Sequence, residues 1–201
     1  DLWKSLDLDV TFVWDRINAP LPDENLEKKE LQRHIAEIAA EIVVMYMGKI
    51  VEEQLAPRAR EFDEMGRMDK SLFRMMGDLD MLGLRYDPKW GGAGLDWSFT
   101  AVLFEELARS DNAGVTMAIS VHTDMATPSL HEYGSDALRQ RYLVPAIKGE
   151  MVSAVAVTEP DAGSDVAGIK TRAVRDGDEF VINGQKVWTS GAAYAEFCFL
   201  F

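Results

Sequence analysis

Apolar residues recur at helical spacing through roughly the first 150 positions of the chain and then give way to short, dense runs separated by glycine and polar dipeptides. Ile35, Ile38, Ala39, Ile42, Val43, Tyr46 and Ile50 fall on one stripe, which predicts a half-buried helix from Asp23 to about Leu55. Asp23 is placed to cap it, Glu24 and Glu27 lie near its positive end, and Pro57 ends or kinks it. Ser71 is expected to cap a second helix over 72–81, with Gly83 as its stop. Helical periodicity returns over 97–110, over 114–133 with a kink or restart near Pro128, and over 136–147, where Gly149 ends it. Between the second and third of these helices, 86–96 holds one proline and three glycines and reads as a turn-rich connector.

After Met151 the period changes. The apolar run 152–157 suits a strand buried on both faces, and it breaks at Thr158-Glu159-Pro160. Residues 161–165 form a small, hydroxyl-bearing loop in which Gly163 lets a ligand approach the backbone. Asp161 and Asp165 are expected to organise this loop through side-chain to backbone bonds. Strand-like runs over 169–174 and 179–182 are joined by Asp176-Gly177, and a further run over 185–189 is joined by Asn183-Gly184. Both dipeptides accept the positive φ of a type I′ turn, so an antiparallel meander is predicted. Helices followed by strands make an α+β chain: an N-terminal all-α domain over 23–150, then the start of an antiparallel β domain over 151–201. Residues 1–22, with Leu2, Trp3, Leu6, Leu8, Val10, Phe12, Trp14 and Ile17, read as an N-terminal extension packed on the main domain or on a partner.

Composition narrows the classes. A net charge of −13 disfavours nucleic acid and anionic membranes as main partners, and 47% apolar content supports a packed core. The longest unbroken apolar run, 42–48, is far below the ~20 residues of a membrane span, and no secretory signal is visible. Cys198 stands alone, so no intrachain disulfide forms and a reducing compartment is expected. His34, His122 and His131 sit apart without a metal-binding pattern, and His122 is expected to be a packed, hydrogen-bonded histidine. Glu105 and Glu106 point about 100° apart on a helix, so they read as one packing contact and one solvated charge rather than an acid–base pair. No dinucleotide or P-loop fingerprint is present, and no nucleophile–base constellation is legible.

Several motifs, in order, carry a more specific signal. V-T-E-P-D-A-G-S-D, G-I-K-T-R-A and I-N-G-Q-K-V-W-T-S follow L-A-P-R-A-R-E-F-D-E-M-G-R, K-W-G-G-A-G-L-D and F-E-E-L-A-R-S-D. Over roughly residues 50 to 201 the chain resembles the acyl-CoA dehydrogenase flavoproteins. That resemblance implies an FAD cofactor and α,β-dehydrogenation of an acyl-CoA thioester, with the α-proton taken by a base and the β-hydride passing to flavin N5. Val155, Ala156, Val157 and Thr158 match the strand end beside the flavin ring, with Thr158 on its pyrimidine side. Gly163 and Ser164 match the loop between cofactor and coenzyme A, where Ser164 meets a flavin phosphate or the pantetheine. Trp188, Thr189 and Ser190 match the segment against the ring. Ser190 stands where the family usually has Thr, keeping the hydroxyl toward N5 and losing a methyl group. Val155 and Ala156 are often larger in relatives, which implies a more open ring environment. Thr116, Met117 and Ser120 match the tail end of the acyl pocket, and small Thr116 and Ser120 imply a deeper cavity than in medium-chain relatives.

In this family the base is a glutamate in a C-terminal helical domain, so none of these 201 residues is assigned as the catalytic base and the piece alone is expected to be inactive. The chain stops at Cys198-Phe199-Leu200-Phe201, within an apolar strand whose edge would be unpaired if nothing followed, so it reads as a fragment or one half of a split enzyme. The phosphates of coenzyme A call for local Lys or Arg against the overall charge. The resemblance also implies an electron-transfer flavoprotein as acceptor, a homodimer or homotetramer, and a cytoplasmic location, or the mitochondrial matrix in a eukaryote. A flavin monooxygenase or acyl-CoA oxidase on the same fold, and a non-catalytic partner subunit, are the alternatives.

Overall fold

A computed structural model describes residue 41 and residues 44–201. The expectations for 1–22, for the Asp23 cap and for the stripe residues Ile35 to Val43 lie outside the described residues. The chain is α+β, with helices first and strands last.

Residues 44–50 are helical and run through a wider π turn, Val51–Leu55, into a 3-10 turn, Ala56–Arg58. Pro57 sits at the start of that turn, where its missing N–H leaves no bond unmade, so the helix restarts as Ala59–Met65 rather than ending. The next helix is Lys70–Asp78. Its cap is Asp69, whose carboxylate accepts from the Ser71 amide at 2.9 Å, so Ser71 is a capped residue and not the cap. Gly83 lies beyond that helix end, and its role is closeness: a Cβ there would meet Ile147 at 2.8 Å.

The connector 86–96 is irregular apart from a short 3-10 turn, Pro88–Trp90. Asp96 then caps Trp97–Ala108. On that helix Glu106 is buried and pairs with Arg109 at 2.7 Å while Glu105 is exposed, the division of labour their spacing predicts. Ala113–Ser120, a π turn Val121–Ala126 and Thr127–Tyr133 form one continuous run, in which the wide turn precedes and accommodates Pro128. Asp136–Leu138, a π turn Arg139–Leu143 and Val144–Ile147 complete the helical part.

Phe73, Met76, Leu82, Phe99, Leu103, Leu107 and Ile119 form the centre of the main core, which Val152 joins from the β side. A smaller cluster of Tyr86, Trp90, Leu130, Leu143 and Ile147 lies under the connector. Burying side chains of this size contributes about 1.5–3 kcal/mol each, which outweighs the propensity cost of the irregular turns.

Strand β1, Ser153–Ala156, pairs in parallel with β4, Phe197–Leu200; β2, Arg172–Asp176, pairs antiparallel with β3, Glu179–Asn183. This corrects the predicted meander in two places. Residues 185–189 form no strand: Val187 N–H donates to the Thr158 carbonyl at 2.9 Å, and Trp188 leaves the extended region at φ +59°. The β2–β3 loop is Gly177-Asp178, since Asp176 pairs with Glu179, and of its two residues only Gly177 has positive φ, so the turn is not type I′. The closing apolar run is paired on one side by β1, and among the described residues no strand covers its other side.

Candidate functional site

Buried His122 anchors β1 to the helices. Its Nδ1 accepts from the Ser153 amide at 3.1 Å, which assigns the proton to Nε2, and Nε2–H donates to the Ala146 carbonyl at 3.0 Å. The Ser153 hydroxyl adds a 2.8 Å bond to Nδ1, and Phe73 meets the ring edge-on at 5.3 Å. Burial pushes the imidazole down to about 4, against the pull of the Ala146 bond and Glu196. His122 is therefore a packed, neutral histidine. At the other end of the same junction, Glu196 accepts from the Val152 amide at 2.7 Å and pairs with Lys70.

Beyond β1 the chain enters a loop organised around one carboxylate. Glu159 is 6% exposed. It accepts from the amides of Lys170 at 2.7 Å and Thr171 at 2.8 Å, from the Thr171 hydroxyl, and from Lys186 Nζ at 3.0 Å. The Thr171 hydroxyl above all, then the Lys170 amide, with Lys186 and the Thr171 amide adding to them, holds its carboxyl down at about 2. Lys186 Nζ also donates to the Val157 carbonyl at 2.8 Å. The amides of Lys170 and Thr171 are committed to Glu159 and that of Val187 to the Thr158 carbonyl, so they are not free to extend β2 or to form a ladder beside β3. Asp161 pairs with Lys170 Nζ at 2.8 Å, a side-chain pair rather than the side-chain to backbone bond expected of it.

The predicted site residues fall into four groups, three of them in the β segment. Val155 and Ala156 lie in β1, with Val157 and Thr158 directly after it and half-buried. Gly163 and Ser164 are on the exposed loop, where a Cβ on Gly163 would meet nothing within 4 Å. Trp188 is 88% exposed and left-handed, which costs about 1–2 kcal/mol for a non-glycine residue, and half-buried Thr189 follows it. The Val187–Thr158 bond places Thr158 and Trp188 beside each other through the backbone.

Ser190 opens onto a cleft of about 350 Å³ whose walls include Gly191, Tyr194, Phe62, Met68, Val115 and Met117. Its floor is set by buried Asn112, which caps Ala113–Ser120 by accepting from Val115 N–H at 2.8 Å and donates to the Ala59 carbonyl at 2.8 Å and Asp63 at 3.0 Å. Thr116, Met117 and Ser120 line an adjoining, more open depression with Phe104 and Ala108. Met117 belongs to both hollows, so Ser190 and the helix Ala113–Ser120 border shared space. Glu159, Lys186 and Tyr194 are absent from the sequence-derived set. The signal for the first two was a carboxylate directly after a buried strand and a lysine inside the second motif, but neither residue names its partner locally.

Comparison with known proteins identifies what the chain is similar to. The profile for "Acyl-CoA dehydrogenase, N-terminal domain" matches residues 27–150, and that for "Acyl-CoA dehydrogenase, middle domain" matches residues 154–201. The short-chain-specific acyl-CoA dehydrogenase of Clostridium acetobutylicum is 34% identical over 157 residues, covering 78% of this chain and 41% of that protein. The crystal structure of an acyl-CoA dehydrogenase from Geobacillus kaustophilus superposes with a TM-score of 0.76 at 29% identity, covering 88% of this chain and 43% of that one. A glutaryl-CoA dehydrogenase from Mycobacterium smegmatis, solved in complex with FADH2, gives 0.75 at 27% identity, covering 80% and 41%. The chain thus spans about two fifths of the length of the relatives it matches.

Proposed function

The chain belongs to the acyl-CoA dehydrogenase family, and from that premise we propose that the whole protein carries out FAD-dependent α,β-dehydrogenation of an acyl-CoA thioester. The observation that carries the proposal is the cleft shared by Ser190 and Met117, which joins the segment assigned to the flavin with the helix assigned to the acyl chain. A cleft of this size falls in the range of small-molecule sites, ~300–1,000 Å³.

The residues present suit a flavin. Trp188 offers an uncovered indole to a planar ring, Thr158, Thr189 and Ser190 offer hydroxyls, and the space at Gly163 leaves the backbone approachable. FAD, when bound, supplies the two-electron acceptor for the β-hydride. This chain's own residues do the holding: Thr158 and Ser190 orient the ring by hydrogen bonds, Trp188 covers a face, Ser164 meets a phosphate or the pantetheine, and Thr116, Met117 and Ser120 receive the acyl tail. The α-proton goes to a glutamate outside these 201 residues. An electron-transfer flavoprotein as acceptor, a homodimer or homotetramer, a cytoplasmic or matrix location, and the boundaries 1–22, 23–150 and 151–201 belong to the same proposal. Among the described residues no helix is long and apolar enough to cross a membrane, and no group of side chains could hold a metal ion.

The test is anaerobic addition of acyl-CoA esters of graded chain length to the purified, FAD-loaded full-length protein. Bleaching of the flavin with stoichiometric enoyl-CoA is expected, while the isolated 201-residue piece turns nothing over. A protein that takes up no flavin, or whose flavin no ester reduces, overturns the proposal. Rapid peroxide release on admitting oxygen would move it to an acyl-CoA oxidase.

A further inference from the structure

Glu159 is surrounded by donors from distant positions, 11, 12 and 27 residues further along the chain. The Thr171 hydroxyl it binds is also wedged against Gly184, where a Cβ would come within 2.1 Å of Thr171 Oγ1. Lys186 Nζ donates both to the Glu159 carboxylate and to the Val157 carbonyl, and the amide of the next residue, Val187, donates to the Thr158 carbonyl. Trp188 follows immediately, left-handed and with its side chain in the open. An exposed indole cannot hold its own strained backbone by packing, so its conformation is imposed by neighbours. On its N-terminal side those neighbours are the two bonds of Lys186 and the amide of Val187. On its C-terminal side they are the turn bonds from Ala192 N–H to the Thr189 carbonyl and from Tyr194 and Ala195 N–H to the Gly191 carbonyl.

We propose that Glu159, acting with Lys186, is a positioning residue that clamps 157–158 to 187–190, so that Thr158 and Trp188 are presented together to the cofactor. This rests on the flavin reading of the same site. A buried ion pair adds little net stability but fixes geometry, and removing one partner strands the other charge. Preorganisation of this kind is realised as ligand affinity, because the loop need not be ordered when the ligand arrives.

The test compares full-length wild type with E159Q, K186M and the double variant, using Y86F as a stability control. Tyr86 is a suitable control because its buried hydroxyl bonds to the Thr123 carbonyl at 2.5 Å and Thr127 Oγ1 at 2.7 Å, within the helical part. In the apoprotein, hydrogen exchange at 185–189 is expected to accelerate in E159Q and K186M and not in Y86F. In titrations with FAD, E159Q and K186M are expected to raise Kd roughly tenfold or more and to alter the flavin circular dichroism, with the double variant no worse than the singles. Y86F should keep wild-type affinity and dichroism at a comparable loss of Tm. K186R, which keeps the charge, replaces E159Q should the latter fail to accumulate, and partial retention of affinity is expected. Wild-type affinity, dichroism and exchange in E159Q overturn the clamp, as does an equal loss of affinity in Y86F. A wild type that binds no flavin sinks the proposed function alone, because the exchange comparison still decides whether Glu159 holds the segment.

Discussion

His122 is a neutral imidazole locked between the two parts of the chain, and acid should prise that junction open. Its nitrogens are both committed, Nδ1 as acceptor from Ser153 and Nε2–H as donor to Ala146, so a second proton would set Nδ1–H against the Ser153 N–H. Burial lowers its pKa from 6.5 to about 4. A folded-state value below the unfolded one means that the unfolded chain binds the proton first. No stability is lost above the unfolded value, and loss accumulates as pH falls from about 6.5 to about 4. At 1.36 kcal/mol per tenfold change in acidity, that drop amounts to about 3 kcal/mol, a large share of a typical ΔG of unfolding. Urea unfolding of full-length wild type and H122Q across this window, at fixed ionic strength, separates the effect from the carboxylates both share. H122Q is expected to start less stable at neutral pH, because glutamine cannot serve both partners in the same geometry, and then to lose about 3 kcal/mol less than wild type on acidification. Parallel pH profiles for the two proteins would refute the assignment of a buried, neutral His122.

Four other perturbations follow from the structure. E159Q should flatten the stability profile at lower pH: the Glu159 carboxyl is held at about 2, so its contribution is complete above about 4.5 and disappears as pH falls toward 2, which acid titration of Tm in wild type and variant will show. G149A should be severely destabilising, by well over about 1 kcal/mol in denaturant titrations, because φ is +66° and the new Cβ would lie 1.9 Å from the Phe73 carbonyl oxygen. G66A, also left-handed (φ +60°) but with open space around it, should cost only the backbone term of about 1 kcal/mol. W188G should leave Tm unchanged or slightly raised, since it relieves the left-handed strain of an exposed residue, while FAD affinity falls; a large loss of Tm would show that the indole is core.

Much of the fold was legible because it depends on local pattern. The run 152–157 became β1, the proline and glycines of 86–96 became a connector, and the helices over 97–110 and 114–133 stand nearly where their periodicity puts them. The errors arise where another group, near or distant, wins a local competition. Ser71 has the right chemistry for a cap, but Asp69 offers a charged acceptor at the position where the backbone is extended. The run 185–189 alternates like a strand, yet Lys186 reaches Glu159 and Val157, and the run never joins β3. Glu159 itself reads as turn punctuation beside Pro160, since its donors lie 11 to 27 residues away and no short motif names them. The pairing of β1 with β4 spans some forty residues, and nothing in either strand alone selects a parallel partner. Of the candidate site, the hydroxyls and the indole could be named from the motifs, but the groups that hold them in register could not.

The most direct test of the central claim is a titration of flavin-free full-length protein with FAD, following tryptophan fluorescence in wild type and in W188F. Saturable quenching in wild type, with a substantial part of it missing in W188F although flavin still binds, places the indole against the ring as proposed. Identical quenching in the two proteins, or no saturable binding at all, would contradict it.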